Sequence, residues 1–166
     1  DTFGTGKWHN GGEAFNRSFD DGDEIMLGGM CDHWNVPALH YDPSGRYDSR
    51  LPYIQDPWLT RDVEYRNADH IPAGYHSTEL FTDTASRFLK NRSSDQPFFC
   101  YVSLTAPHDP RTMPERFKSM YPPDDIELPP NFMAQHPFDT GALRIRDELL
   151  AEFPRTPDEI RCHIAE

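Results

Sequence analysis

Basic residues are scarce in this chain: 16 Lys and Arg stand against 28 Asp and Glu, a formal charge of −12 over 166 residues. A field of that sign excludes the broad positive face that nucleic acid or an anionic membrane demands, so any anion has to be gripped by a few local cations. Long apolar runs are missing too, and none approaches the roughly 20 residues that span a bilayer. Cysteine is sparse. Cys31, Cys100 and Cys162 form no Cys-x-x-Cys and cannot all pair with one another, so they read as buried or inert thiols. Cys100 lies within Phe98-Phe99-Cys100-Tyr101-Val102, where a thiol behaves as a small hydrophobe. No Gly-x-Ser-x-Gly elbow provides for a serine hydrolase. His33, His40, His70 and His76 match neither a zinc-finger spacing nor His-Glu-x-x-His. Asp20-Asp21-Gly22-Asp23-Glu24 lacks the EF-hand pattern and reads as a solvated acidic turn.

What the chain does have is enough apolar substance for a core, at 36% hydrophobic and 13% aromatic residues. It also has 16 prolines, about twice the ordinary usage. Residues 1–12 read as the end of a buried strand and its loop. Residues 13–75 carry little periodicity and many Gly, Pro, Asp and aromatic residues, as in His33-Trp34-Asn35-Val36-Pro37 and Gln55-Asp56-Pro57-Trp58. An irregular stretch of this length is usually functional. Its aromatics suit either stacking on sugar faces or packing against one another as a lid.

From Ser77 the pattern changes. Leu80, Phe81, Ala85, Phe88 and Leu89 recur at helical spacing, Ser77 or Thr78 can cap, and Lys90 and Arg92 suit a C-terminus. The spacing predicts a helix over about 77–91. Residues 98–105 are apolar on both faces and predict a central parallel strand. A short helix is expected near 114–121, opened by Pro114, and then a Pro-rich excursion over 122–156. Thr156-Pro157-Asp158-Glu159 combines an N-cap, a proline in the first turn and a capping-box Glu.

Two short segments carry chemistry. In Gly6-Lys7-Trp8-His9-Asn10-Gly11, alternation puts Lys7 and His9 on one side and Trp8 in the core, while Gly6 and Gly11 allow close backbone approach. A phosphate loop ending at Gly6-Lys7 would need Gly at position 1 and Ser or Thr at 8, where Asp1 and Trp8 stand. A dinucleotide fingerprint from Gly4 fails at His9. In Ala106-Pro107-His108-Asp109-Pro110-Arg111, prolines restrict the backbone on either side of an imidazole at a strand end. That imidazole is suited to proton transfer near neutral pH or to donating to a developing anion. Either segment alone is a pattern that arises by chance. Their joint presence, with a helix and a strand between them in the right order, is more specific.

Together these segments resemble the sulfatase family, and so do residues 77–89, Pro97 to Pro110 (PFFCYVSLTAPHDP) and the closing RTPDEIRCHIAE. The resemblance implies an α/β fold, part of an alkaline-phosphatase-like sandwich with a central, mostly parallel sheet flanked by helices and incomplete in this chain. It implies a sulfuric-ester hydrolase acting on a small-molecule or polysaccharide sulfate ester, periplasmic or secreted, using Ca²⁺ and a formylglycine. Lys7 would bind the sulfate oxygens, His9 would contact the formylglycine hydroxyl and assist sulfate release, and His108 would bind the ester and protonate the departing oxygen. His33, Trp34 and Arg111 are the expected substrate-binding groups. None of the cysteines begins Cys-x-Pro-x-Arg, and the family's Asp-Asp and Asp-Asn or Asp-His metal ligands cannot be placed in this chain, so both cofactors are expected outside these residues. Asp1 leads at once into the Lys7 segment, and Glu166 follows closely on a strong helix start. The expectation is therefore an internal fragment, 1–166, of one catalytic domain with a loop-rich insertion at about 13–75. Such a fragment would be inactive alone. A non-catalytic carbohydrate-binding module on the same fold and a phosphoester hydrolase of the same superfamily are the alternatives.

Overall fold

A computed structural model describes residues 1–54, 60–93, 95–145, 149 and 151–166. The expected aromatic contribution of Trp58 lies outside them. The chain divides into two compact units, 1–112 and 113–166.

The first unit is built on a parallel sheet. β1 (Thr2–Trp8) lies between β2 (Asp21–Leu27) and β5 (Phe99–Ser103), and both neighbours run parallel to it. The segment around Lys7 is thus the last part of the seven-residue strand β1. β1 is also the central strand. β5 pairs on one side only among the described residues, and Phe98, Phe99, Tyr101, Val102 and Leu104 are all exposed. The 98–105 stretch is parallel as expected but stands at the sheet's edge.

Between β1 and β2 runs a short helix, α1 (Gly12–Ser18), and before β5 runs the long helix α2 (Ser77–Asn91). The bounds of α2 coincide with those its hydrophobic spacing predicts. Its N-cap, however, is His76, whose ring accepts the Thr78 backbone N–H at 3.3 Å, and not Ser77 or Thr78. Strand alternation sends successive residues to opposite faces. Ile25 packs with Phe15, Phe19, Leu39 and Tyr47, alongside Trp8 and Leu27, on the α1 face. Met26 packs with Cys31, Val36, Ala38, Tyr53, Leu80 and Phe81 on the α2 face. Full burial of one such aromatic or aliphatic side chain contributes about 1.5–3 kcal/mol. Each face therefore adds stability in its own right, and the sheet is a two-sided core.

The loop-rich stretch consequently begins at Gly28 and not at Glu13. The acidic residues read as a solvated turn open β2, and each carboxylate has a partner. Asp20 accepts from Thr2, Asp23 meets His40 and Arg87, and Glu24 meets His70. Within 28–76 a two-stranded antiparallel sheet forms from β3 (Arg50–Tyr53) and β4 (Glu64–Asn67).

The register of β1 against β2 shifts between Gly4 and Gly6. There β2 spends Asp23 and Glu24 against the single Thr5, and Glu24 takes φ 49°. Gly6 has φ +93°, and a Cβ on it would lie 2.0 Å from the Ser103 carbonyl oxygen. Close strand packing, more than approach to a ligand, is what demands glycine here.

The second unit contains α3 (Glu115–Lys118), 3₁₀ turns at Pro123–Asp125 and Ala142–Arg144, and α4 (Pro157–Ala165). α3 is shorter than expected, with Pro114 as its N-cap. α4 starts with both halves of the expected capping box, Thr156 Oγ1 accepting from the Glu159 N–H and the Glu159 carboxylate accepting from Thr156 N–H.

Candidate active site

Because β1, β2 and β5 are parallel, their C-terminal ends open on one edge of the sheet, which is where open α/β sheets place ligand groups. Three loops gather there: 9–11 after β1, 28–37 after β2 and 104–112 after β5.

Lys7 pairs in register with Met26, so its stem lies on the α2 face. Its ammonium is near enough to Cys31 to draw that thiol's pKa slightly down. Burial dominates at Cys31 and pushes the thiol up to about 12, so it stays protonated and is no nucleophile. Trp8 turns the other way, as alternation requires. Its ring packs edge-on to Phe15, Phe19 and Tyr101, and its indole N–H donates to the Gly11 carbonyl at 2.9 Å. This pins the loop that carries His9. The His9 ring is exposed and lies beside Gly29, 3.7 Å from where a Cβ would stand. His108 is exposed as well, on a loop turned by its backbone N–H donating to the Thr105 carbonyl at 2.9 Å. None of the three side chains makes a hydrogen bond or ion pair among the described residues.

The three expected substrate-binding residues are placed differently. Arg111 is half-buried and meets Asp109 of its own loop at 3.5 Å. Trp34 is half-buried and edge-on to His76, ring centroids 5.0 Å apart. His33 is 2% exposed, with both ring nitrogens engaged. Its Nε2 lies 2.8 Å from the His108 carbonyl, and its Nδ1 lies 2.7 Å from Ser77 Oγ and 3.1 Å from Thr105 Oγ1. So seated, His33 has both ring nitrogens committed to protein groups.

Ser77, Thr105 and His76 were not singled out for this edge. Their tertiary partners lie 28 to 72 residues away, and no local motif links them. The one sequence cue was position: Thr105 ends the apolar run, and His76-Ser77 opens the helix.

Among the described residues, no group of three or more His, Cys, Asp and Glu is arranged to hold a metal ion. No helix of the described residues is long and apolar enough to cross a membrane.

Comparison with known proteins places this architecture. The family model for sulfatases matches residues 1–147. An arylsulfatase of Klebsiella aerogenes is 29% identical over 132 residues, covering 72% of this chain and 25% of its own length. An ulvan-active sulfatase of Formosa agariphila is 28% identical over 128 residues, covering 76% of this chain and 22% of its own. The chain thus spans about a quarter of the length of the curated relatives it matches.

Proposed function

This chain belongs to the sulfatase family, and from that premise we propose that it is part of a longer hydrolase of sulfuric esters whose sulfate pocket is formed in part by Lys7, His9 and His108. The observation that carries the reading is that these three basic side chains stand at the C-terminal edge of a parallel sheet, Lys7 near the end of β1 and the two histidines on the loops after β1 and β5, and make no hydrogen bond or ion pair among the described residues. In a chain of net charge −12, three unpaired basic groups on one edge favour an anion there and not elsewhere.

In this reading the Lys7 ammonium neutralises the non-bridging sulfate oxygens. His9 holds a further oxygen from the other side of the β1 turn. As the S–O bond breaks, charge grows on the bridging oxygen, and a protonated His108 gives it a proton. Arg111, ion-paired with Asp109 in the same loop, is a further proposed substrate-binding group. The residues that attack sulfur and hold calcium belong elsewhere in the longer protein, and the 166-residue chain is expected to be inactive by itself. Turnover by the isolated chain that survives repurification, and disappears in Lys7→Ala, would overturn this fragment reading.

A sulfated carbohydrate is the proposed substrate class. The name of the ulvan-active relative supports it. Of the aromatics in 31–75, Tyr47 and Tyr53 are consumed by the core, while Tyr65 remains 62% and Tyr75 36% exposed. These two are the tyrosines of that stretch still open to a sugar face.

Inorganic sulfate titrated into the ¹⁵N-labelled chain tests the pocket directly. Saturable shifts confined to residues 6–11 and 104–112, and lost in Lys7→Ala, are expected. Shifts spread evenly over the surface, or none, would overturn the assignment. In the full-length protein, 4-nitrophenyl sulfate supplies the matching test of activity.

A further inference from the structure

His33 and His76 are both buried, at 2% and 5% exposure, and their rings stack with centroids 5.3 Å apart and planes 9° from parallel. Each points Nε2 at a backbone carbonyl: His33 at that of His108 (2.8 Å), His76 at that of Thr112 (3.0 Å). A carbonyl oxygen can only accept, so both Nε2 atoms carry hydrogen. The opposite nitrogens are fixed as acceptors. Nδ1 of His76 takes the Thr78 backbone N–H, which can only donate. Thr105 Oγ1 donates to Ser77 Oγ at 2.8 Å, which leaves the Ser77 hydrogen for Nδ1 of His33. Two stacked imidazoles in one tautomer thus grip the two ends of the segment 108–112.

Within that segment Arg111 also pairs with Asp109 at 3.5 Å. The segment is not part of a helix or strand, and its backbone bonds are His108 N–H to Thr105 and Thr112 N–H to Pro110. We propose that His33 and His76 are positioning residues, a stacked bracket that sets the His108 ring at the distance the departing ester oxygen requires. The proposal rests on the reading of His108 as proton donor. Misplacing a reacting group by about an ångström costs about a hundredfold in rate, which is the size of effect a lost bracket should have. The bracket touches neither substrate nor sulfate, so its loss should fall on kcat and leave KM nearly unchanged.

The test uses the full-length protein and paired amide substitutions. His33→Gln carries an N–H close to the position of Nε2 and can still reach the His108 carbonyl. His33→Asn places its amide near Nδ1 and cannot. With 4-nitrophenyl sulfate, His33→Asn should lose about a hundredfold in kcat with KM within about threefold, and His33→Gln should recover at least about tenfold of that loss. Histidine-selective ¹⁵N labelling of the wild type should report the Nε2–H tautomer at both positions. Equal losses in the two variants, a loss confined to KM, or an Nδ1–H tautomer at either histidine would overturn the bracket. If His33→Asn does not fold, His76→Gln and His76→Asn make the same comparison at the Thr112 end. A wild-type protein without activity on aryl sulfates would overturn the sulfatase reading and the positioning role together, whereas an active wild type with matched variants overturns the role alone.

Discussion

Two sets of polar side chains occupy the same edge of the sheet under opposite rules. Lys7, His9 and His108 are solvent-accessible and make no hydrogen bond or ion pair among the described residues. His33, His76, Ser77 and Thr105 are 5% exposed or less, and each is tied to at least one of the others or to loop backbone. Burial explains the second set, because a polar group without a partner inside a protein costs about 1–3 kcal/mol. Nothing comparable compels the first set to pair, since water satisfies it. Partnerless basic groups are held in reserve for a ligand, while the buried set fixes where the reserve is held. The difference teaches that a histidine's chemistry here is decided by its depth and not by its residue type.

The largest effect that would sharpen this contrast is in the cysteines. At pH 8 a thiol with a pKa of about 12 is ionised in roughly one molecule in ten thousand. Cys162 is exposed. Iodoacetamide should label Cys162 at least about a thousand times faster than Cys31, followed by mass spectrometry. Comparable rates would mean that the interior beside the buried histidines opens readily, and the contrast would break.

Next in size is Lys7→Ala in the full-length protein. A single preorganised charge of this kind is worth about a hundredfold or more in kcat. The melting temperature should stay within about a degree or two, because an ammonium that makes no hydrogen bond or ion pair among the described residues contributes little to stability. A large drop in melting temperature would place Lys7 with the structural set.

Ser77→Ala should do the reverse. It removes the hydroxyl between Thr105 and His33 and leaves buried groups short of a partner, at about 1–3 kcal/mol by denaturant unfolding. Unchanged stability would show that water enters and that this set is less sealed than its burial implies.

The smallest effect concerns His40, an exposed histidine outside both sets, whose hydrogen bond to Asp23 raises its pKa above 6.5. A pKa raised on folding adds stability that is fully present below the unfolded value and is lost as pH climbs through the folded one. Stability should therefore slip slightly as pH rises from about 6 to 8, and His40→Gln should remove that slope.

Much of the frame was legible because it is written in local pattern. α2 follows from apolar residues at helical spacing, and the α4 start follows from Thr156, Pro157 and Glu159 standing at fixed offsets. β2 was hidden because Asp21, Asp23 and Glu24 look like a solvated turn. The groups that pair Asp23 and Glu24, namely His40, His70 and Arg87, come from 17 to 64 residues further on. Lys7, His9 and His108 were found because each sits in a dense short motif. The role of His33 was not, since its ring partners are 44 to 75 residues distant and burial leaves no mark on a single sequence.

The extra residue in β2 has a further consequence. By inserting Glu24 opposite Thr5, the strand changes phase midway. Gly22 and Ile25, three apart, end up on the same face, and Met26 is delivered to α2. Were Glu24 instead to take a place in a regular alternation, the parity of everything after it would invert, turning Ile25 toward α2 and Met26 toward α1. The loop that carries Cys31 and His33 would then leave the sheet half a period out of step. The left-handed backbone of Glu24, φ 49°, is what lets the strand absorb the extra residue and keep both faces in place.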